Sequence, residues 1–212
     1  MRNDETCGSI QQHTIKVAAP QLLGMLNNQQ ELLDLYDVLK KLADPSLSDL
    51  STNLVPGEGN IDSQVVFVGE APGRDEDKQG RPFVGSAGRL LNDALEKAGL
   101  RRSDVYITNV VKRRPPQNRP PRKAEIALFL PYLLHELEII QPRLVCLLGA
   151  TAIRAVLNKP LSEVQGRIVE SGGWCFYCTY HPAAIIYDPG VEKIFFGDIA
   201  KVRRLIDSGS KQ

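Results

Sequence analysis

The chain has 212 residues, 42% of them hydrophobic, and a formal net charge of +1. That length and apolar content suffice for one buried core and favour one domain, while the near-neutral total is silent about partners until its distribution is examined. No apolar run is long enough to span a bilayer and the N-terminal MRNDETCGSI lacks a signal-peptide core, which excludes a membrane-spanning or secreted reading and points to a cytoplasmic (nucleoid) or nuclear protein. In that compartment Cys7, Cys146, Cys175 and Cys178 are expected to be reduced, so a disulfide framework is not expected.

In chain order, residues 1–20 are polar and weakly patterned and read as a mobile arm, leaving 21–212 as a single domain that begins with a helical segment. Between Gln21 and Leu42 the leucines and Tyr36 are spaced for one or two amphipathic helices, with Asn27-Asn28 as a possible break. Ala43 to Ser51 reads as a loop and Val55 to Asn60 as a turn-rich lead. Val65-Val66-Phe67-Val68 is a short buried strand ended by Gly69-Glu70-Ala71-Pro72-Gly73. Residues 74–78 read as a polar loop. Ser86 then opens a helix whose Leu90, Leu91, Ala94, Leu95 and Ala98 share a face, closed by Gly99.

Val105 to Val111 has the β-branched content of a second strand, and the proline-rich KRRPPQNRPPRK at 112–123 reads as a loop. A helix is expected near Ala124 to Ile140, bent or started by Pro131. Arg143 to Leu148 is a third strand leading into a short helix over Ala152 to Leu157. Arg167-Ile168-Val169 is a candidate edge strand, Trp174 to Tyr180 a fourth main strand, and Val191 to Ile206 a closing helix. Strands alternating with helices predict an α/β fold with a mainly parallel sheet sandwiched by helices.

In such sheets the ligand crevice lies outside the carboxyl ends of the strands. Glu70, Asn109, Gly149 and His181 each fall at one of those ends, with Phe83 on a nearby loop. A carboxylate can stabilise a cation or orient water, an amide can read a donor-acceptor edge, an imidazole can meet a developing anion, and a ring can stack. Taken singly each residue has a blander reading, as an ion-pair partner, a turn residue, a core ring or a loop histidine. Four strand ends carrying complementary groups favour the functional reading. Directly after Asn109, the cations Lys112, Arg113, Arg114, Arg119, Arg122 and Lys123 stand in one proline-stiffened segment, which points to a polyanion entering the same rim.

GEAPGRDEDKQGRPFVGSAGRLL, YITNVVKRRPPQNRPP and YHPAAII, in that order and spacing, resemble the family 4 uracil-DNA glycosylases over roughly Leu42 to Asp207. The resemblance implies a three-layer uracil-DNA glycosylase-like fold with a central four-stranded, mainly parallel sheet. It also implies a monofunctional enzyme that flips uracil out of DNA, hydrolyses its N-glycosidic bond and so initiates base excision repair. Glu70 and His181 are then the catalytic pair, one beside the sugar and the other beside the leaving uracil. Phe83, Asn109, Gly69 and Glu76 form the base pocket, with Phe83 stacking, Asn109 reading the uracil edge and Glu76 crowding the position of a thymine methyl. Lys112, Arg113, Arg114, Arg119 and Arg122 bind DNA, and Ile185 is the wedge into the vacated stack. The expected partner is uracil-containing DNA, bound by a monomer.

The sequence departs from that family twice. Most members carry a four-cysteine iron-sulfur cluster, and the corresponding places here hold Leu42, Pro45, Arg113 and Phe129. No cofactor and no metal ligand are therefore expected, with apolar packing in the cluster's place. His181-Pro182 is followed by Ala183 where the family usually has serine, which removes a hydroxyl that can bind phosphate. Two alternatives stay open, the same fold acting on another deaminated base such as hypoxanthine, and a catalytically silent DNA-binding module. A dinucleotide site is disfavoured because Gly69 to Gly73 lacks the G-x-G-x-x-G pattern.

Overall fold

The structure is a computed structural model and describes residues 27–42 and 53–208. The expected arm at 1–20, the start of the first helical segment and the loop at Ala43 to Ser51 lie outside the described residues.

Among the described residues six strands form one sheet in the order β1-β3-β2-β4-β6-β5. They are β1 (Glu58–Gly59), β2 (Val65–Gly69), β3 (Tyr106–Asn109), β4 (Leu144–Leu148), β5 (Ile168–Ser171) and β6 (Trp174–Thr179). The four central strands β3, β2, β4 and β6 are mutually parallel, as the alternation of elements predicts. The antiparallel edge β5 forms at the candidate edge strand around Ile168-Val169, and the antiparallel edge β1 is an addition to the expected strands. Neither edge has the continuous apolar content of the centre, and β1 holds only two residues, so composition signals it weakly.

The central strands read as unbroken apolar runs because both faces are covered. Val66 and Val68 of β2 face the side occupied by the helix at 27–41 (α1), α4 (Lys123–Ile140) and α5 (Ala150–Leu157). Val65 and Phe67 face α3 (Ser86–Lys97) and α8 (Glu192–Ser208). The result is three layers, with Leu39, Phe129 and Leu133 filling one interface and Leu91, Phe195 and Ile199 the other. Pro131 does not interrupt α4, and it lies on that helix's solvent side.

One segment differs in kind from its sequence reading. Residues 74–78, expected as a loop, fall within the helix α2 (Arg74–Gln79). It has no apolar stripe. Its ends carry the stabilisation instead, since Asp75, Glu76 and Asp77 lie in the first turn, Lys78 lies in the last, and Gly80 closes it at φ 67. Two further short helices are α6 (Leu161–Val164) and α7 (Ala184–Tyr187).

Candidate active site

The chain leaves β2 for β3 on one side and later returns through β4 on the other, so the sheet's switch point lies between β2 and β4. Gly69 pairs with Asn109 at the carboxyl end of β2 and β3, and Leu148 pairs with Thr179 at that of β4 and β6. Backbone bonds continue past the strands, from Val110 N–H to Gly69 O at 3.0 Å and from Gly149 N–H to Thr179 O at 2.8 Å. The four strand ends are thereby locked into one rim. Above it opens a cleft of about 680 Å³ lined by Glu70, Phe83, Asn109 and His181, among others.

The floor is set by Gly69. A Cβ there would lie 2.4 Å from Asn109 Oδ1 and 2.5 Å from Phe83 Cζ, so the absence of a side chain lets the amide and the ring meet over the backbone. Asn109 and Phe83 are almost wholly buried. Phe83 adopts φ 51, an unusual backbone state for a bulky residue, and its surroundings hold it there. Arg102 donates to Pro82 O at 2.7 Å and to Phe83 O at 3.3 Å, while Gly88 in α3 comes so close that a Cβ would lie 1.9 Å from the same carbonyl oxygen. Opposite, the His181 ring stacks on Phe83 with centroids 5.7 Å apart and 30° between planes.

His181 stands two residues beyond the end of β6. Its Nδ1 accepts from the Ala183 backbone N–H at 3.2 Å, which assigns the ring proton to Nε2. Burial pushes its pKa down to about 4, so the imidazole is neutral at pH 7 and Nε2 is a donor. A Cβ on Gly149, which sits at φ 90, would lie 2.7 Å from the His181 Cβ, so the chain needs glycine at both this turn and this approach. Glu70 stands at the opposite side of the switch point, where the Thr151 hydroxyl in the first turn of α5 donates to Glu70 Oε2.

Several expected site residues do other work. Glu76 borders the cleft, but its oxygens accept from three backbone amides, Gly73 at 3.1 Å, Val84 at 2.9 Å and Gly85 at 2.7 Å. It clasps the start of α2 to the start of α3 and so shapes the Phe83 loop at the border of the cleft. Lys112, expected on DNA, is fully buried and ion-paired with Glu136, which also accepts from Tyr36, Tyr106 and Thr108. Burial lowers the Lys112 pKa and Glu136 opposes that shift. Ile185, expected as a wedge, is packed among apolar residues of the α3 and α8 layer.

The basic segment is divided accordingly. Arg114 lines the cleft, with its Nε 2.7 Å from Asn118 Oδ1 and its guanidinium 3.9 Å from Asp77. Arg119 also lines it and is held by Glu125 at 2.6 Å. Arg122 is exposed at the start of α4, whereas Arg113 is half-buried away from the cleft's lining, with its pKa lowered by desolvation. Thr151, Arg102, Gly88 and Tyr187 were not singled out from sequence. Only Tyr187 carried a sequence signal, as a ring within a few residues of His181-Pro182.

Residues 56–199 match the family described as the uracil DNA glycosylase superfamily. The chain belongs to that superfamily. It is 42% identical over 191 residues to a type-4 uracil-DNA glycosylase of Archaeoglobus fulgidus, covering 84% of this chain and 95% of that protein. To the type-4 uracil-DNA glycosylase of Pyrobaculum aerophilum it is 41% identical over 80% of this chain and 92% of that protein. The corresponding enzyme of Thermotoga maritima is 42% identical over 84% and 96%. The superfamily match spans every side chain named above as lining the cleft.

Proposed function

We propose that this chain is a monofunctional uracil-DNA glycosylase that draws uracil out of DNA into the cleft and hydrolyses its glycosidic bond. The observation that carries the reading is the convergence of a Thr151-oriented Glu70, the Asn109 amide, the Phe83 ring and a neutral, Nε2-protonated His181 on one cleft.

The chemistry follows from charge. Breaking the bond between sugar C1′ and base N1 leaves positive charge on the sugar and negative charge on uracil. Glu70 stabilises the first and orients the water whose oxygen bonds to C1′, while the His181 Nε2 proton stabilises the second. A donor aimed at developing charge in a closed site is worth roughly 10²–10³ in rate. Phe83 stacks on the base, and the buried Asn109 amide selects uracil over cytosine because the two present opposite hydrogen-bonding groups at position 4. Among the described residues no lysine lines the cleft, which supports hydrolysis by water over a Schiff-base step. The enzyme is read as a monomer acting on DNA in a nucleoid or nucleus. Among the described residues no helix is long and apolar enough to cross a membrane.

We propose too that the enzyme works without an iron-sulfur cluster. Supporting this, Leu42 packs against the α1 and α4 core, Phe129 is fully buried in it and Arg113 is a half-buried cation, none of them a ligand for iron. Cys146 and Cys178 face opposite sides of the sheet, and among the described residues no group of three or more His, Cys, Asp or Glu could hold a metal. The four cysteines of the sequence are Cys7, Cys146, Cys175 and Cys178, whereas the resemblance assigns the ligand places to Leu42, Pro45, Arg113 and Phe129.

One oligonucleotide series tests both readings. Alkali-sensitive cleavage at uracil opposite guanine or adenine and in single strands, sharply reduced in Glu70→Gln and His181→Ala, is expected from colourless, iron-free protein. Cleavage of hypoxanthine but not uracil, or binding without cleavage, would overturn the substrate or the activity. Brown protein with stoichiometric iron would overturn the cluster reading.

A further inference from the structure

The segment after His181 is built as an anchor with an outward arm. Backbone bonds from Ala184 N–H to His181 O at 2.9 Å, Ile186 N–H to Ala183 O at 3.1 Å and Asp188 N–H to Ala184 O at 2.8 Å wind α7 tightly. Asp188 Oδ1 then accepts from Gly190 N–H at 2.9 Å and fixes the exit. Ile185 is the anchor, 8% exposed in the core that also contains Phe83 and Phe195. The two residues after it point the other way, Ile186 being 52% exposed and Tyr187 87% exposed. Tyr187 nevertheless borders the same cleft as His181, Glu70 and Phe83.

A tyrosine left almost wholly in water, at the mouth of a cleft that otherwise buries its ring systems, stacks on no other ring among the described residues. Arg74, Arg114 and Arg119 border the same cleft, so a phosphate backbone is drawn past this ring. Removing a base from a stack leaves an unstacked neighbour, and aromatic side chains offset such losses with little dependence on sequence.

We infer that Tyr187, and not Ile185, is the stacking residue of this enzyme: its ring packs against the base next to the extracted uracil and holds open the gap that extraction leaves, with Ile186 alongside. The inference rests on the glycosylase reading and adds a positioning residue to it. Tyr187 touches no reacting atom. It acts on how long the uracil stays out of the stack, so its contribution belongs to duplex DNA and falls away in single strands, where no pairing partner competes for the base.

The test compares wild type with Tyr187→Ala, Tyr187→Phe and Ile185→Val in single-turnover excision of uracil from a duplex and from the same strand alone. In parallel, 2-aminopurine is placed beside a hydrolysis-resistant 2′-fluoro-2′-deoxyuridine, to read stacking by fluorescence. Loss of one stacked base is worth roughly 10- to 100-fold, so Tyr187→Ala is expected to slow duplex excision by that order, leave single-strand excision within about threefold, and remove the quenching of 2-aminopurine. Tyr187→Phe and Ile185→Val are expected to behave as wild type in both assays. Equal losses on both substrates, or unchanged quenching in Tyr187→Ala, would overturn the inference while leaving the glycosylase reading intact. A wild type that excises uracil from neither substrate would overturn the glycosylase reading itself.

Discussion

The backbone N–H of Ala183 donates to Nδ1 of His181 at 3.2 Å, two residues from the ring it orients. The contact needs no side chain at position 183, so the alanine there leaves the imidazole's tautomer unaffected. It also leaves Nε2 as the protonated nitrogen of a ring that lines the cleft and stacks on Phe83.

From this follows a pH prediction. With its pKa pushed down to about 4, His181 stays neutral in the native protein while an unfolded histidine titrates at its ordinary 6.5. Two-bond ¹H–¹⁵N spectra are expected to show protonated Nε2 and bare Nδ1 from pH 8 down to about 5. An imidazolium signature for this residue at pH 6.5 would contradict the burial argument. Stability contributed by the neutral ring is complete above pH 6.5 and is lost as pH falls toward 4, by on the order of 3 kcal/mol. His181→Asn should flatten that part of the stability profile.

Thr151→Val keeps the volume beside Glu70 and deletes the hydroxyl that orients it. A hydrogen bond to a charged group is worth about 1.5–3 kcal/mol, so the single-turnover rate should fall roughly 10-fold or more, with DNA affinity unchanged. Thr151→Ser should restore most of the rate. A valine variant as fast as wild type would remove Thr151 from the site.

Lys112→Met leaves the buried Glu136 carboxylate without its cation. Breaking one side of such a pair costs about 3–5 kcal/mol, which urea unfolding would register as a lower midpoint. Because the ammonium is buried, the salt dependence of DNA binding should not change. A shallower salt slope would return Lys112 to the DNA surface.

Arg114→Ala should act in the opposite way, since that guanidinium lines the cleft. If it neutralises one phosphate, the slope of log K against log salt should shrink by about 0.9 on duplex DNA or about 0.7 on a single strand. Unfolding should be little affected. An unchanged slope would show that Asp77 and Asn118 keep the side chain from DNA.

The catalytic constellation was legible in the sequence because strand ends are local events. A β-branched run stopped by Gly69-Glu70, another ending at Asn109 and an aromatic-rich run leading into His181 can each be read within a few residues, and parallel α/β topology brings such ends together. The two faces of the sheet were implicit in the same runs, which are apolar throughout because helices cover both sides. What the residues beside those ends do was decided only by tertiary structure. Lys112 and Arg114 are two positions apart in one basic segment, yet one is buried on Glu136 and the other lines the cleft. Charge patterning cannot separate them, because the buried carboxylate arrives from α4, 24 residues later in the chain. Glu76 became a clasp through amides of a turn that follows it, and α2 formed through its end groups with no apolar stripe to announce it. Ile185 turned into the core and Tyr187 was left exposed for the same reason. Which side of a one-turn helix meets the core depends on the layer it docks against, and that layer is assembled from α3 and α8, elements that lie before and after it in the chain.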